Sequence, residues 1–418
     1  MKETKRSGFY YGWVIVAVCF LLMTFAYVSF VSTTSVYVIP VTEAFGIERA
    51  QFVLYATIMS LTTVVITSFM GKVMADKNIK VIMMISAFIG AVGFFIFSQA
   101  QGVMYFYLGA LLLGVGFGNT TTLPVSLLIN NWFGGKIKGT AMGVAFIGSG
   151  VGGMIMTPLL NNVIQSSGWR HAYVCQAIIM IILIPIIGIF VVKTPEEKGM
   201  LRLGETEDEK EEDKEKSGVT FEEAKRSPIL YILLVSIVLV IFGSSAVLAN
   251  SVAFFQECGY NATQAAGFAS AALGSLIVGK PIVGFLCDKF GIKINAVLSC
   301  VVFALGFLFL TMMPHMPNLV YGYVICYCIG GAAITVCPPL MVNGLFGEKD
   351  YGTLVGLVTM ATSIGGAFGG MIAAKAYDMT GSYVTFWIIA CIAMLVAGLM
   401  RGVCFRMKEK NEQAALEK

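Results

Sequence analysis

The sequence predicts an all-α integral membrane protein of twelve transmembrane helices, arranged as two six-helix, pseudo-symmetric halves. Three observations predict it. Of 418 residues 57% are hydrophobic and only 12% charged, where a soluble domain carries about a quarter charged. Apolar runs of about 20 residues, the length a helix needs to cross a hydrocarbon core near 30 Å, recur along the whole chain. And the second half of the chain repeats landmarks of the first.

The runs fall at about 12–38, 50–70, 80–98, 103–127, 139–161, 171–193, 229–254, 264–286, 293–313, 319–341, 353–376 and 382–402. An even number of crossings puts both termini on one side, and the side richer in Lys and Arg is the cytosolic one. Lys2, Lys5, Arg6, Lys77, Lys80, Lys136, Lys138, Lys289, Lys293, Lys349, Arg406 and Lys408 all fall on the terminal face, against little beyond Arg49, Arg170 and Lys375 on the other. Both termini are therefore expected in the cytosol, with the protein in the cell membrane (inner or plasma). Met1 to Tyr10 is short and basic and runs directly into a long span, as a cytosolic tail does and a cleaved signal does not. The net charge of +4 is small and its basic residues sit in short loops, which argues against a nucleic-acid partner. The ten cysteines lie mostly in apolar runs without metal-type pairing and read as small packing residues.

The repeat has one register. Phe133-Gly-Gly-Lys-Ile-Lys-Gly139-Thr-Ala-Met-Gly143 matches Phe346-Gly-Glu-Lys-Asp-Tyr-Gly352-Thr-Leu-Val-Gly356, an offset of 213 (346 − 133), and Gly168 and Gly381 share it. Asp76-Lys77 and Asp288-Lys289 are 212 apart (288 − 76). The expected units are a first half over 1–193, a cytosolic charged linker over 194–228, a second half over 229–405 and a tail over 406–418. The linker holds the run Glu205 to Lys216, too charged and too poor in apolar residues to bury a core, so a solvated tether is expected. At its far end Val219 to Arg226 reads as a short surface helix capped by Thr220. Transporters built from such related halves place the substrate between them near mid-membrane.

Lys280 stands alone in an otherwise uncharged stretch. About fifteen residues before it carry no charge, and Pro281, Gly284, Asp288, Lys289, Gly291 and Lys293 follow. A lysine near a bilayer centre costs roughly 2.5–3.5 kcal/mol on insertion scales and faces a cavity or a partner. No carboxylate is found inside a predicted span to pair with it, so an anionic ligand is the simplest partner. It lies eight residues before Asp288, about 12 Å along a helix at 1.5 Å per residue. The alternative is snorkelling to the headgroups, a long reach from that depth.

Gly284-Phe-Leu-Cys-Asp288-Lys289-Phe-Gly291-Ile-Lys293 resembles the loop signature of the major facilitator superfamily, Gly-x-x-x-Asp-Arg/Lys-x-Gly-x-Arg/Lys. The first-half counterpart, Lys72-Val-Met-Ala-Asp76-Lys77-Asn-Ile-Lys80, departs from it, with Lys72 and Ile79 at the two glycine positions. The resemblance implies that Asp76, Lys77, Gly284, Asp288, Lys289, Gly291 and Lys293 serve gating, the aspartates locking the outward-facing state through charged contacts between halves. The alternative is that the Asp-Lys pairs only mark turns. Tyr10-Tyr-Gly-Trp13, Asn131-Trp-Phe133 and Gly279-Lys280-Pro281-x-x-Gly284 are similar to stretches of the monocarboxylate transporter and oxalate:formate antiporter families. There an arginine at the position of Lys280 binds the substrate carboxylate. Lysine offers a point charge in place of arginine's bidentate fork.

Two departures from those families bear on the substrate. Leu276 stands where animal monocarboxylate transporters have an aspartate, and span eleven has no cation before Lys375, where the antiporter has a second lysine. One site cation suits one carboxylate. In the superfamily spans one, four, seven and ten line the cavity, which implies Tyr27, Asn119, Asn250 and Tyr327 as further substrate contacts, with a break in span seven near Ser244 to Ser251. Glycines crowd spans five (Gly143, Gly148, Gly150, Gly152, Gly153) and eleven (Gly365, Gly366, Gly369, Gly370), as close helix contact requires.

The expected function is alternating-access transport of a small monocarboxylate such as lactate or pyruvate, coupled to a proton or to anion exchange, by a functional monomer without cofactor or metal. A dicarboxylate or other organic-anion antiporter is the alternative within the class. A non-transporting carboxylate receptor signalling through the linker is the alternative outside it. An enzyme is not expected, since His171 and His315 sit at span ends and no nucleophile or metal constellation appears.

Overall fold

The computed structural model describes residues 10–204 and 218–416. Among them twelve helices are long and apolar enough to cross a membrane: Gly12–Phe30, Gln51–Asp76, Ile79–Ser98, Val103–Trp132, Lys138–Ser167, Trp169–Phe190, Pro228–Glu257, Gly267–Phe290, Ile292–Met312, Leu319–Phe346, Tyr351–Tyr377 and Val384–Gln413. These are spans one to twelve, and they coincide with the twelve apolar runs. Several outrun the hydropathy signal, because backbone hydrogen bonding continues where the hydrocarbon stops. The glycine pair that marks the repeat has a backbone reason: Gly168 and Gly381 end spans five and eleven at φ 87° and 72°, a region that disfavours a Cβ.

Span one is not a plain α-helix. It widens to a π-helical turn over Leu22–Tyr27, breaks after Phe30 and resumes as Thr34–Phe45. The wide turn sets its carbonyls against the glycines of span five, where a Cβ at Gly148 would stand 2.2 Å from the Phe20 oxygen and one at Gly152 the same from that of Thr24. Span four kinks at Thr121 (φ −114°, ψ −119°), three residues before Pro124. Proline removes a backbone donor, and the hydroxyls of Thr120 and Thr121 donate to the carbonyls of Gly116 and Phe117, each at 2.7 Å. Span seven, where a break was expected, is continuous over Pro228–Glu257. Its polar residues bond their own helix and span eleven: Ser245 donates to the Phe242 carbonyl, and the Asn250 amide to Ala246 and Gly370. No backbone group there needs relief by a break.

The glycines of spans five and eleven divide their work in matched fashion. Those near the terminal face meet the other half: Gly139 and Gly143 lie against Gly284 and Lys280 of span eight, and Gly352 and Gly356 against Gly71 and Thr67 of span two. Those further in meet their own half: Gly148 and Gly152 face span one, Gly365 and Gly369 face span seven. One apolar cluster accordingly runs from Ile15 and Phe146 across the seam to Val283, Val336 and Leu354, while Val247, Phe254, Phe307 and Trp387 form a second at the far end of the last six spans. The terminal face is where the two sets of six are sealed together.

The linker's described ends are docked on the two halves. Leu203 forms an isolated β-bridge with Phe133 just after span four, its N–H donating to the Trp132 carbonyl at 3.1 Å and its carbonyl accepting from Gly134 at 2.8 Å. Val219 donates to the Phe346 carbonyl at 2.9 Å, and Phe221–Arg226 is a helix with Thr220 and Glu223 forming a capping box. The acidic run Glu205 to Lys216 lies outside the described residues.

Candidate functional site

Span eight continues through Pro281 without a break, so Lys280 is held on a rigid helix. Its side chain is only 2% exposed, reaching neither lipid nor headgroups. Nζ donates to the Phe146 carbonyl at 3.0 Å and to the Ser149 hydroxyl, both on span five of the opposite half. The approach is set by glycine: a Cβ at Gly143 would come within 2.6 Å of the Lys280 carbonyl oxygen. Among the described residues no carboxylate reaches the ammonium. A buried cation is thus solvated by neutral dipoles alone, across the seam between halves. Nothing in the order of residues announced Ser149 as its partner.

Closer to the terminal face, the Asp288 carboxylate accepts from the N–H groups of Gly139 (2.7 Å) and Thr140 (2.6 Å) and from the Thr140 hydroxyl (2.6 Å). These are the first free donors of span five, so a side chain of one half caps a helix of the other. An anion at such a helix end is worth roughly 0.3–1 kcal/mol exposed and up to ~2 partly buried. Gly291 makes the turn behind it at φ 82°. Lys289 lies near the Phe285 and Phe290 rings, and Lys293 pairs with Glu409 at an exposed position, where an ion pair contributes about 0–1 kcal/mol.

The repeat-related corner is built differently. Asp76 and Lys77 are exposed, and among the described residues Asp76 makes no side-chain hydrogen bond or ion pair. Lys193 donates to the Ala75 and Lys77 carbonyls instead. With Lys72 and Ile79 at the glycine positions, close approach passes to Gly71, where a Cβ would stand 2.0 Å from the Gly352 carbonyl oxygen.

Charge gathers at Glu348, in the turn between spans ten and eleven. Lys138, at the start of span five, donates to it at 2.6 Å and to the Asn130 side chain at 2.9 Å. Arg202, from the linker, donates to both carboxylate oxygens and to the Asn130 carbonyl, each at 2.6 Å. Burial pushes the Glu348 carboxyl up, but the bonds from Arg202 and the charges of Lys138 and Arg202 outweigh it and bring it down to about 2. A carboxyl depressed on folding stabilises the protein above its ordinary value of 4.5 and loses that contribution as pH falls toward 2. Wild type should therefore out-melt Glu348→Gln at pH 6 by up to about 3 kcal/mol, and the two melting curves should converge near pH 2.5 in detergent.

The family profile of the Major Facilitator Superfamily matches residues 18–343. The chain belongs to the Major Facilitator Superfamily. It is 25% identical to monocarboxylate transporter 12 of Homo sapiens over 98% of this chain and 84% of that one, and 26% identical to the oxalate:formate antiporter of Oxalobacter formigenes over 71% and 68%. Its fold superposes on the proton:xylose symporter XylE bound to 6-bromo-6-deoxy-D-glucose with a TM-score of 0.73, at 14% identity and over 96% and 95% of the two chains. It is thus a multi-pass transporter of a small molecule, not an enzyme.

Within this superfamily transporter the remaining expected contacts separate. Tyr27 of span one, half-buried beside Phe117, and Tyr327 of span ten come near one another across the halves, the Tyr327 hydroxyl also interacting with Ser244. Leu276, one turn before Lys280, packs by Gly331 and the Tyr327 ring. Asn250 is drawn away: its amide nitrogen bonds Ala246 and Gly370, and its oxygen faces the Tyr383 hydroxyl at 3.4 Å, all within the second half. Both of its amide donors are thereby engaged within the second half. Asn119 is fully buried with neither amide atom bonded. Its neighbours Gly116 and Gly118 pack on spans one, two and three.

The transporter also holds a buried cation in span twelve. Arg401 of span twelve is 1% exposed, bonds the Ala296 carbonyl at 3.2 Å, and lines a narrow space with Ser299, Cys300 and Gly330. It sits at the very edge of the run 382–402, where hydropathy cannot separate a buried residue from a boundary one. Its surroundings all belong to the second half, apart from the seam that holds Lys280.

Proposed function

We propose that this transporter carries a small monocarboxylate by alternating access, with Lys280 as the group that meets the carboxylate. The observation that carries the reading is the bonding of Lys280: a buried ammonium with two neutral acceptors from the opposite half and no anion. A carboxylate arriving there exchanges a neutral acceptor for a fully charged one, so that an ion–dipole bond becomes an ion pair. The names of the monocarboxylate transporter and antiporter relatives support an organic anion. Arg401 adds no second charge to the site, which favours one carboxylate over two.

The same bonds give substrate a lever on the gate. When a carboxylate takes the ammonium from Ser149 and Phe146, it removes a tie between spans five and eight, and the halves 1–193 and 229–405 rock around the site. The excess of Lys and Arg on the terminal face supports cytosolic termini in a cell membrane, so the sealed terminal face corresponds to an outward-facing state of a functional monomer. One cation fits either coupling, a proton travelling with the acid or the exchange of one anion for another; an imposed pH gradient and an imposed counter-anion gradient tell them apart.

The experiment is labelled uptake into proteoliposomes together with thermal-shift titration, since a ligand of the folded state raises its melting point. Lactate-sized monocarboxylates should accumulate and stabilise, and dicarboxylates should do so weakly. Full-affinity transport of a dicarboxylate ends the monocarboxylate clause, and binding without uptake favours the receptor. Ser149→Ala separates competition from substrate contact. If Ser149 only holds the ammonium until substrate arrives, KM should fall a few-fold, about 1 kcal/mol for one hydrogen bond, while maximal rate drops as the tie across the seam weakens.

A further inference from the structure

We propose that Arg202 makes the linker a working part of the gate: a latch that travels with the first half and releases Glu348 of the second when the terminal face opens. The inference rests on alternating access between the halves and not on the identity of the substrate.

The linker segment 201–203 is fixed to the first half by more than its pairing with Trp132 and Gly134. The Tyr10 hydroxyl shares its one proton between the Trp132 carbonyl (2.8 Å) and the Leu201 carbonyl (3.1 Å), and accepts from the Leu203 N–H (3.1 Å). The rings of Tyr10 and Trp13 stand edge-on to Phe133, and the Trp132 indole bonds the Val192 carbonyl. The stretches Tyr10-Tyr-Gly-Trp13 and Asn131-Trp-Phe133 thereby form a clamp around residues 201–203.

That clamp aims Arg202 across the seam. Its guanidinium makes a fork to both oxygens of Glu348 while one nitrogen also holds the Asn130 carbonyl of the first half. Bidentate pairing with a third contact suits a planar guanidinium and not an ammonium. The turn bearing Glu348 is gripped on its other side by the far end of the linker, where Val219 bonds Phe346 and the Phe221 N–H donates to the Asp350 carboxylate at 2.6 Å. Any movement that parts spans five and eight at this face must pull Arg202 and Lys138 off Glu348, because both are held by the first half.

The test needs no substrate. Spin labels at the exposed positions Glu196 and Lys410, carried on the full-length protein in nanodiscs, report the separation of the halves at the terminal face. Arg202→Gln should raise the ratio of long to short distances by about tenfold, the equivalent of one lost charge-assisted bond. Arg202→Lys should fall between, and adding Arg202→Gln to Glu348→Gln should widen the distribution no further. Distances unchanged by Arg202→Gln would overturn the latch, as would a further widening when Arg202→Gln is added to Glu348→Gln. A protein that transports no carboxylate yet opens on Arg202→Gln would refute the substrate reading and keep this one.

Discussion

Uptake of a labelled short monocarboxylate should fall by at least about a hundredfold when Lys280 is replaced by Gln, while the protein melts at the same temperature or higher. The two signs come from one fact. Removing a buried charged partner of a ligand costs about 2–5 kcal/mol of binding, and the site keeps no other cation, since Arg401 lies among residues of the second half. Stability moves the other way because an ammonium with only the Phe146 carbonyl and the Ser149 hydroxyl for company is incompletely compensated for its lost hydration, and a neutral amide can make the same two bonds. Lys280→Arg should keep part of the activity: the charge persists, but a larger fork must fit beside Gly143. Measured uptake near wild type in Lys280→Gln would remove the substrate assignment.

Gly284→Val should abolish transport through the gate and not the site. A Cβ there would stand 2.2 Å from the Gly139 carbonyl oxygen, and the obstacle is backbone, with no rotamer to yield. Spans five and eight must separate by an ångström or so. Asp288 then loses its grip on Gly139 and Thr140, and Lys280 its acceptors. Overpacking of this kind costs about 1–3 kcal/mol, so the melting temperature should drop, and a thiol reagent applied from the terminal face should label a cysteine at Ser149 that is protected in the parent. Asp288→Asn is the gentler companion. It keeps the shape but loses the charge at the helix end, about 1 kcal/mol, and should leave a slower carrier. A closed, fully active Gly284→Val protein would mean that the crossing of spans five and eight does not depend on a glycine at this position.

Some features of the molecule are written locally, and the sequence by itself determined those. Twelve runs long enough to cross a membrane, a 213-residue repeat, a cation in an uncharged stretch and glycines spaced on spans five and eleven are periodic or compositional signals, legible because each depends on one segment. The capped helix at Thr220 belongs with them. Which side chains meet across the seam was decided only by the tertiary structure. Arg202, Lys138 and Glu348 come from a linker, a helix start and a turn, far apart in the chain, and no spacing foretells that three segments converge. That the Asn250 amide meets the Gly370 carbonyl of span eleven, and that Asp76 stands exposed while Asp288 caps a helix of the other half, was likewise decided there. The physical reason is the same in each case. Hydropathy fixes how deep a residue sits, but the direction it faces follows from how every helix turns to bury its own surface, and a partner exists only after all of those rotations are settled together.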